Sequence, residues 1–170
     1  MIRRAFPKAL LAIILIPCFL FAVSFALSLT PDYPSGVLQA AAWTGQNTPS
    51  NSTFLTYWID SSIIEGWGNR TSYTDSVNTN GTRITDYARF LLSKSGNYSY
   101  IRQVRPDYLL VGRTLDSATV KILEEDANET NASIDINGTN LASLYNGKAD
   151  LPIVYSNNGT IIYGVALLWK

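Results

Sequence analysis

The chain contains no histidine and a single cysteine, and both shortages narrow what it can do. Without histidine it lacks the usual general base of Ser-His-Asp and Cys-His catalysis, and also the commonest protein ligand of zinc. With Cys18 as its only thiol it forms no internal disulfide, so a folded domain must rely on a packed core. We therefore expect neither a hydrolase nor a zinc enzyme. The sequence indicates no catalytic residue, no metal site and no cofactor.

An excess of positive charge is also lacking, because 13 basic residues balance 13 acidic residues. Arg3, Arg4 and Lys8 lie at the N-terminus, and subtracting these three from 13 leaves 10 basic against 13 acidic residues in the rest of the chain. A weakly acidic surface is repelled by the phosphate backbone. We expect no nucleic acid partner.

One long apolar run, from Ala9 to Leu29, follows these cations and contains no charged residue. As a helix it extends about 31 Å, enough to cross a bilayer. The cations before it place the N-terminus in the cytoplasm. Residues 1–29 are therefore interpreted as a basic tip and a transmembrane helix of a single-pass cell-membrane protein, whose remaining residues are extracytoplasmic. The alternative is a cleaved signal peptide, with Ser24-Phe25-Ala26 as the cleavage site.

Glycosylation sequons are abundant in the residues C-terminal to this apolar run. Chance combination of 13 asparagines with a Ser/Thr content of about one fifth gives only two to three Asn-x-Ser/Thr sequons. The chain has eight, which begin at Asn51, Asn69, Asn80, Asn97, Asn128, Asn131, Asn137 and Asn158. The excess favours a surface that meets a glycosylation machinery outside the cytoplasm. The alternative is that an Asn- and Thr-rich loop composition produces sequons incidentally.

Residues 30–52 are rich in Pro, Gly, Ser, Asn and Gln, without a helical or strand period, and predict a stalk. Residues 53–170 then alternate strand and helix patterns. The predicted strands are Thr53–Trp58, Thr71–Thr74 and Tyr108–Val111, and the predicted helices are Thr82–Ser93, Asn97–Val104, Leu115–Glu125 and Asn140–Tyr145. A further short helix starts at Asp60-Ser61-Ser62, where Ser62 and Glu65 have capping-box spacing, and ends at Gly66. The polar segment Asp126–Thr139 predicts an exposed excursion.

The C-terminal part predicts a β-hairpin. Its strands are Leu151–Tyr155 and Thr160–Leu168, and Asn158-Gly159 between them is a strong hairpin signal. The fold class is therefore α/β (mixed α+β). We expect a single N-terminal transmembrane helix followed by one globular domain with a C-terminal hairpin.

Several short motifs follow one another along the chain in an order that resembles a known protein family. They include Trp58-Ile59-Asp60-Ser61-Ser62, Gly68-Asn69-Arg70-Thr71 and Asp107-Tyr108-Leu109-Leu110-Val111. This order resembles the extracytoplasmic C-terminal soluble domain of the archaeal-type catalytic subunit of oligosaccharyltransferase, where a Trp-Trp-Asp-Tyr-Gly motif ends a strand. The resemblance covers roughly Phe54 to Val165.

The resemblance implies acceptor-binding roles for specific residues. In that family the Trp and Asp of the motif recognise the hydroxyl of the sequon's +2 Ser or Thr, and Trp58 and Asp60 hold the matching positions. Trp67 is the third residue of the predicted groove. Only two of the five motif positions match, since Ile59, Ser61 and Ser62 replace the others. The same residues also fit structural roles, as core aromatics and as a helix-capping carboxylate.

The family's catalytic groups lie on a many-helix membrane region, whereas this chain has one predicted span. The resemblance therefore implies a domain that does not catalyse glycosyl transfer alone, and whether it belongs to an enzyme is left open. It is either a free-standing relative, which the initial Met-Ile-Arg-Arg favours, or the tail of a longer enzyme. Its expected partners are the membrane and either a polytopic glycosyltransferase or an acceptor peptide. The alternative is a cell-surface glycoprotein that uses the fold only as a scaffold.

Overall fold

The computed structural model describes residues 35–74, 81–112, 117–129 and 134–169. All of them belong to one compact unit. The predicted membrane span from Ala9 to Leu29 lies outside these ranges. Within them, no helix is both long enough and apolar enough to cross a bilayer.

The described residues form six α-helices and a mixed five-stranded sheet. The helices are α1 (Ser35–Asn47), α2 (Trp58–Gly66), α3 (Gly81–Leu92), α4 (Ser99–Val104), α5 (Ser117–Ala127) and α6 (Asn140–Tyr145). The strands are β1 (Thr53–Leu55), β2 (Thr71–Ser72), β3 (Tyr108–Val111), β4 (Ile153–Asn157) and β5 (Thr160–Gly164). Short 3₁₀ turns cover Ile136–Gly138 and Ala166–Trp169. The mixed α/β class is therefore confirmed.

The sheet has the order β2-β1-β3-β5-β4. The first three strands are parallel to one another, β5 runs antiparallel to β3, and β4 runs antiparallel to β5. Strand β3 lies in the centre of the sheet, as its continuous apolar sequence indicated. The predicted strand Thr53–Trp58 was too long, because Trp58 is already the first residue of α2.

Successive side chains of the strands point to opposite faces of the sheet, and each face is packed against helices. Leu109 and Val111 of β3 and Leu55 of β1 pack in a core with residues of α3, α5 and α6. Leu110 points to the other face, where α1 packs against α2 and β5. Helices therefore cover both faces of the sheet.

Helix α3 agrees with the prediction. Its buried residues include Tyr87, Ala88, Leu91 and Leu92, which belong to the predicted apolar stripe. Helix α6 also agrees, and Gly147 beyond its end has a φ of 62°, in the left-handed region that glycine adopts readily.

Helix α1 corrects the prediction of a stalk without regular structure. Its buried residues include Val37, Ala40, Ala41 and Thr44, spaced at i, i+3, i+4 and i+7. These side chains are small, so the stripe was hidden by the Gly-, Ser- and Gln-rich composition around it. Residues 35–47 are thus an integral part of the domain.

The C-terminal hairpin is confirmed, with Asn158-Gly159 as its turn. Gly159 has a φ of 95°, which explains the glycine at this position. Strand β5 ends at Gly164 and not at Leu168, since the chain turns into the 3₁₀ segment.

The ends of the segment Asp126–Thr139, which was predicted as an exposed excursion, have regular structure. Helix α5 continues to Ala127, and Thr139 forms an isolated bridge with Lys94.

Candidate functional site

The topology of the sheet indicates a candidate ligand site at the carboxyl ends of β1 and β3. The connection that follows β1 passes through α2 to β2 on one side, whereas the connection that follows β3 leads to β4 and β5 on the other side. Neighbouring parallel strands whose connections leave in opposite directions form a topological switch point, where open α/β sheets bind ligands. The residues that follow β1 and β3 at this point are Tyr57 to Asp60 and Gly112.

Asp60 is buried at this switch point. It lies in the first turn of α2, which begins after Tyr57, and its relative exposure is 1%. The positive end of the helix dipole favours a carboxylate there. A Cβ added to Gly112 would lie 3.3 Å from Asp60 Oδ2, so the carboxylate closely approaches the end of β3. The absence of a side chain at Gly112 leaves room for this approach.

A small cavity of about 20 Å³ adjoins Asp60, with space for one water-sized group. Its lining combines apolar side chains with hydroxyl and carboxyl groups. The polar side chains are those of Tyr57, Asp60, Tyr87, Thr119 and Tyr145. A single hydroxyl group fits a space of this size and polarity.

Tyr87 is a buried tyrosine that lines the cavity. Burial is the main cause that raises its pKa well above the ordinary value, and the charges of Tyr145, Tyr100, Asp60 and Tyr57 raise it further. A phenol is protonated at neutral pH even with the ordinary pKa of 10.0, and the raised pKa keeps Tyr87 protonated into more alkaline solution. The residues that line the cavity thus include a buried carboxylate, Asp60, and a protonated tyrosine, Tyr87.

Trp58 is half-buried, and its indole is hydrogen-bonded to Asp126. The sequence did not indicate a role for Asp126. The indole N–H of Trp58 donates to Asp126 Oδ2 at 3.0 Å, and the hydroxyl of Tyr57 donates to the same oxygen at 2.5 Å. Asp126 lies at the end of α5, 68 positions from Trp58. No local sequence signal marks such a contact, because it depends on how α5 packs beside α2.

Trp67 lies at the opposite end of α2. Its side chain is 70% exposed, and the separation of nine positions between Trp58 and Trp67 corresponds to about 13 Å along a helix axis. The structure therefore brings together Trp58 and Asp60, which share the first turn of α2, but it does not bring Trp67 to them. A groove lined by all three residues is not formed.

The predicted capping box is wrong. Helix α2 begins at Trp58, so Ser62 lies inside the helix and is not its N-cap. Glu65 has a different role, since its Oε1 accepts a hydrogen bond from the backbone N–H of Ser72 in β2. Asp60 lies in the first turn and not at the N-cap position.

The sequon asparagines that the structure describes share one property. Each of them is exposed, and they lie in loops, turns or at helix ends: Asn51, Asn69, Asn97, Asn128, Asn137 and Asn158. Asn80 and Asn131 lie outside the described residues. Within the described ranges, no group of three His, Cys, Asp or Glu side chains could hold a metal ion.

No protein-family model and no curated protein matches the chain. Among solved structures, the chain is similar to the C-terminal globular domain of an oligosaccharyltransferase from Archaeoglobus fulgidus. The TM-score is 0.62 and the sequence identity 14%, and the match covers 75% of this chain and 94% of that domain. At this identity the likeness shows the fold alone. The described unit therefore has the fold of that globular domain.

Proposed function

We propose that the chain is a membrane-anchored extracytoplasmic domain that takes part in protein N-glycosylation by binding an acceptor peptide, and that it does not transfer the glycan alone. The observation that carries the proposal is the fold shared with an oligosaccharyltransferase globular domain. The position of Asp60 and Trp58 at the switch point supports it, because ligands of open α/β sheets bind there.

Acceptor recognition follows from the chemistry of this position. The carboxylate of Asp60 accepts a hydrogen bond from the +2 hydroxyl of the peptide, and the half-buried ring of Trp58 contacts the methyl group of a threonine. The small cavity takes the hydroxyl and excludes a larger side chain. A +2 alanine would leave the carboxylate without this donor, so the two peptides should be discriminated.

The groups for glycosyl transfer come from a partner in this proposal. One predicted membrane span provides too few helices to build a site for a lipid-linked donor. A polytopic glycosyltransferase in the same membrane supplies the donor site, and this domain presents the acceptor.

The direct test is a titration of the full chain, in detergent micelles, with an Asn-x-Thr peptide and its Asn-x-Ala counterpart. Tryptophan fluorescence reports binding. We expect saturable binding of the threonine peptide and a loss of at least tenfold in affinity with the alanine peptide. Equal responses to both peptides would reject acceptor recognition.

Two variants locate the binding site. Asp60→Asn keeps the size of the side chain but removes its charge, and Gly112→Ala places a methyl group beside Asp60 Oδ2. Both should weaken binding of the threonine peptide. Trp67→Phe is the matched control, since its exposed ring lies at the far end of α2 and should not affect binding.

The second candidate function is a cell-surface glycoprotein that uses this fold as a scaffold. The hydrogen bond from Trp58 to Asp126 favours it, because the indole has a structural role within the chain. So do the exposed sequon asparagines, which lie in many different loops. Absence of peptide binding, together with glycans at Asn69 and Asn97, would favour this function.

A further inference from the structure

Four of the sequons that the structure describes in full form two pairs, which differ in the exposure of the +2 residue. Every described sequon asparagine is exposed, but the hydroxyl that completes the sequon is buried in two cases. The buried residues are Thr139, at 3% relative exposure, and Thr160, at 1%. They belong to the sequons of Asn137 and Asn158.

The hydroxyl of Thr139 makes two hydrogen bonds within the folded domain. It is the N-cap of α6, where its Oγ1 accepts a hydrogen bond from the N–H of Ala142 at 3.3 Å. The same hydroxyl donates to the carbonyl of Ile136 at 2.6 Å. An enzyme that reads this hydroxyl would have to displace both bonds and uncap the helix.

Thr160 is covered by helix α1. A Cβ added to Gly36 would lie 3.2 Å from Thr160 Oγ1 and 2.5 Å from the carbonyl oxygen of Asn158. The side chain of Asn157 donates to the carbonyl of Gly36 at 2.9 Å and holds the helix against the hairpin. Access to the hydroxyl of Thr160 therefore requires α1 to move away.

The sequons of Asn69 and Asn97 differ from these two. Thr71 and Ser99, their +2 residues, are exposed in the folded domain. The Oδ1 of Asn97 accepts a hydrogen bond from the N–H of Ser99 at 3.3 Å.

We propose that Asn137 and Asn158 are glycosylation acceptors only before the domain folds, whereas Asn69 and Asn97 remain acceptors in the folded protein. The donor is a lipid phosphate-linked oligosaccharide. A bond forms between the asparagine Nδ2 and the anomeric carbon, the bond from that carbon to the phosphate oxygen breaks, and the Nδ2 proton passes to a base of the transferase. This inference does not depend on whether the chain itself binds acceptors.

The occupancy of these sequons should depend on how fast the chain folds. Folding and glycosylation compete for the hydroxyls of Thr139 and Thr160, so occupancy of Asn137 and Asn158 records how long the chain stayed unfolded. Occupancy of Asn69 and Asn97 does not depend on that time.

The test starts from the full chain produced without glycans and folded in detergent micelles. It is incubated with membranes that contain an oligosaccharyltransferase and its lipid-linked donor, and glycopeptides are quantified by mass spectrometry. Short synthetic peptides with the same four sequons measure the intrinsic acceptor strength of each. We expect modification of Asn137 and Asn158 to fall at least tenfold from peptide to folded chain, and that of Asn69 and Asn97 to fall less than threefold. Equal rates in chain and peptide at Asn137 and Asn158 would overturn the proposal.

Gly36→Ala provides a site-specific check. The added methyl group clashes with the hairpin turn and displaces α1, so modification of Asn158 should rise several-fold while Asn137 stays protected. A rise at both sites would mean that the variant unfolds, and it would also support protection by folding. If hydrogen exchange shows that α1 is displaced and Asn158 remains unmodified, the assignment of Asn158 is wrong.

Discussion

The indole N–H of Trp58 and the carboxylate of Asp126 form a hydrogen bond of 3.0 Å that joins the first turn of α2 to the end of α5. The hydroxyl of Tyr57 donates to the same carboxylate oxygen. Two elements far apart in the sequence are thereby tied together directly beside Asp60. The orientation of Trp58 depends on this bond.

Replacement of Asp126 by alanine should therefore destabilise the domain by about 1–3 kcal/mol, because two partly buried donors lose a charged acceptor. Urea denaturation measures the change in the free energy of unfolding. Asp126→Asn, which keeps an acceptor, should cost less than the alanine variant. Glu125→Ala is the matched control, since its carboxylate is exposed and lies 4.0 Å from Lys121, and it should change stability by less than about 0.5 kcal/mol. Similar costs at positions 125 and 126 would contradict the role of the Trp58 bond.

Arg70 anchors α1 to the rest of the domain. Its guanidinium is buried and donates to the carbonyls of Gly45 and Thr48, both at the C-terminal end of α1, at 2.9 and 2.6 Å. It also donates to the carbonyl of Asn69 at 2.8 Å. A cation is favoured at this end of a helix, where the last carbonyls have no partner within the helix.

Arg70→Met should consequently lower the free energy of unfolding by about 2–4 kcal/mol, because several buried carbonyls lose a charged donor. Hydrogen exchange should accelerate most in α1. Arg102→Met removes the same charge from an exposed position on α4 and should cost less than about 0.5 kcal/mol. Uniform acceleration across the domain in Arg70→Met would argue against a local anchor.

Buried tyrosines should make the domain sensitive to alkali. Burial raises the pKa of Tyr163 to about 12, and the charge of Tyr98 adds to this effect, whereas the ordinary value is 10.0. The folded state therefore holds the phenol proton more tightly than the unfolded state. This contribution to stability is complete below pH 10 and is lost as the pH rises from 10 through 12. The raised pKa of Tyr87 acts in the same direction.

Urea denaturation between pH 8 and pH 12, with absorbance of tyrosinate as a second signal, tests this dependence. Stability should be constant up to about pH 9.5 and then decline. In Tyr163→Phe the decline should be shallower, although the variant starts from a lower stability because it loses the bond to the carbonyl of Leu144. A stability that does not vary up to pH 12 would refute the burial argument.

The sequence predicted the elements whose apolar spacing is regular. Helix α3 and strand β3 were recognised because bulky apolar side chains mark a stripe in one and a continuous run in the other. Helix α1 was missed because its buried stripe contains a single valine beside glycine, alanine and threonine, and such small residues do not stand out from a polar composition.

The candidate site was predicted only in part, and the reason is again physical. Trp58 and Asp60 share one helical turn, so their proximity is local. Trp67 was predicted to line the same groove, but the length of α2 carries it away from them. Asp126 and Gly112 reach the site through tertiary packing, which no spacing in a single sequence specifies.

Asn140 has a hydrogen-bonding requirement that a charge cannot meet. Its fully buried Nδ2 donates to the carbonyls of Phe90 and Asn97 and to Ser93 Oγ, at 3.0 to 3.1 Å, while its Oδ1 accepts from the N–H of Gly96 at 2.9 Å. The side chain thereby fixes the end of α3 and the segment before α4 against the start of α6.

Asn140→Asp preserves the shape of this side chain but points an anionic oxygen at three acceptors. We expect a loss of about 3–5 kcal/mol at pH 7, since an uncompensated charge is buried. The aspartate would have a raised pKa in the folded state, so the loss should shrink as the pH falls through that pKa towards the ordinary value near 4. Asn137→Asp makes the same chemical change at an exposed position and should cost less than about 0.5 kcal/mol, with little dependence on pH. Urea denaturation of both variants at pH 4.5 and pH 7 distinguishes the two cases. If Asn140→Asp were as stable as Asn137→Asp at pH 7, the donors of Asn140 could not be what joins α3, α4 and α6.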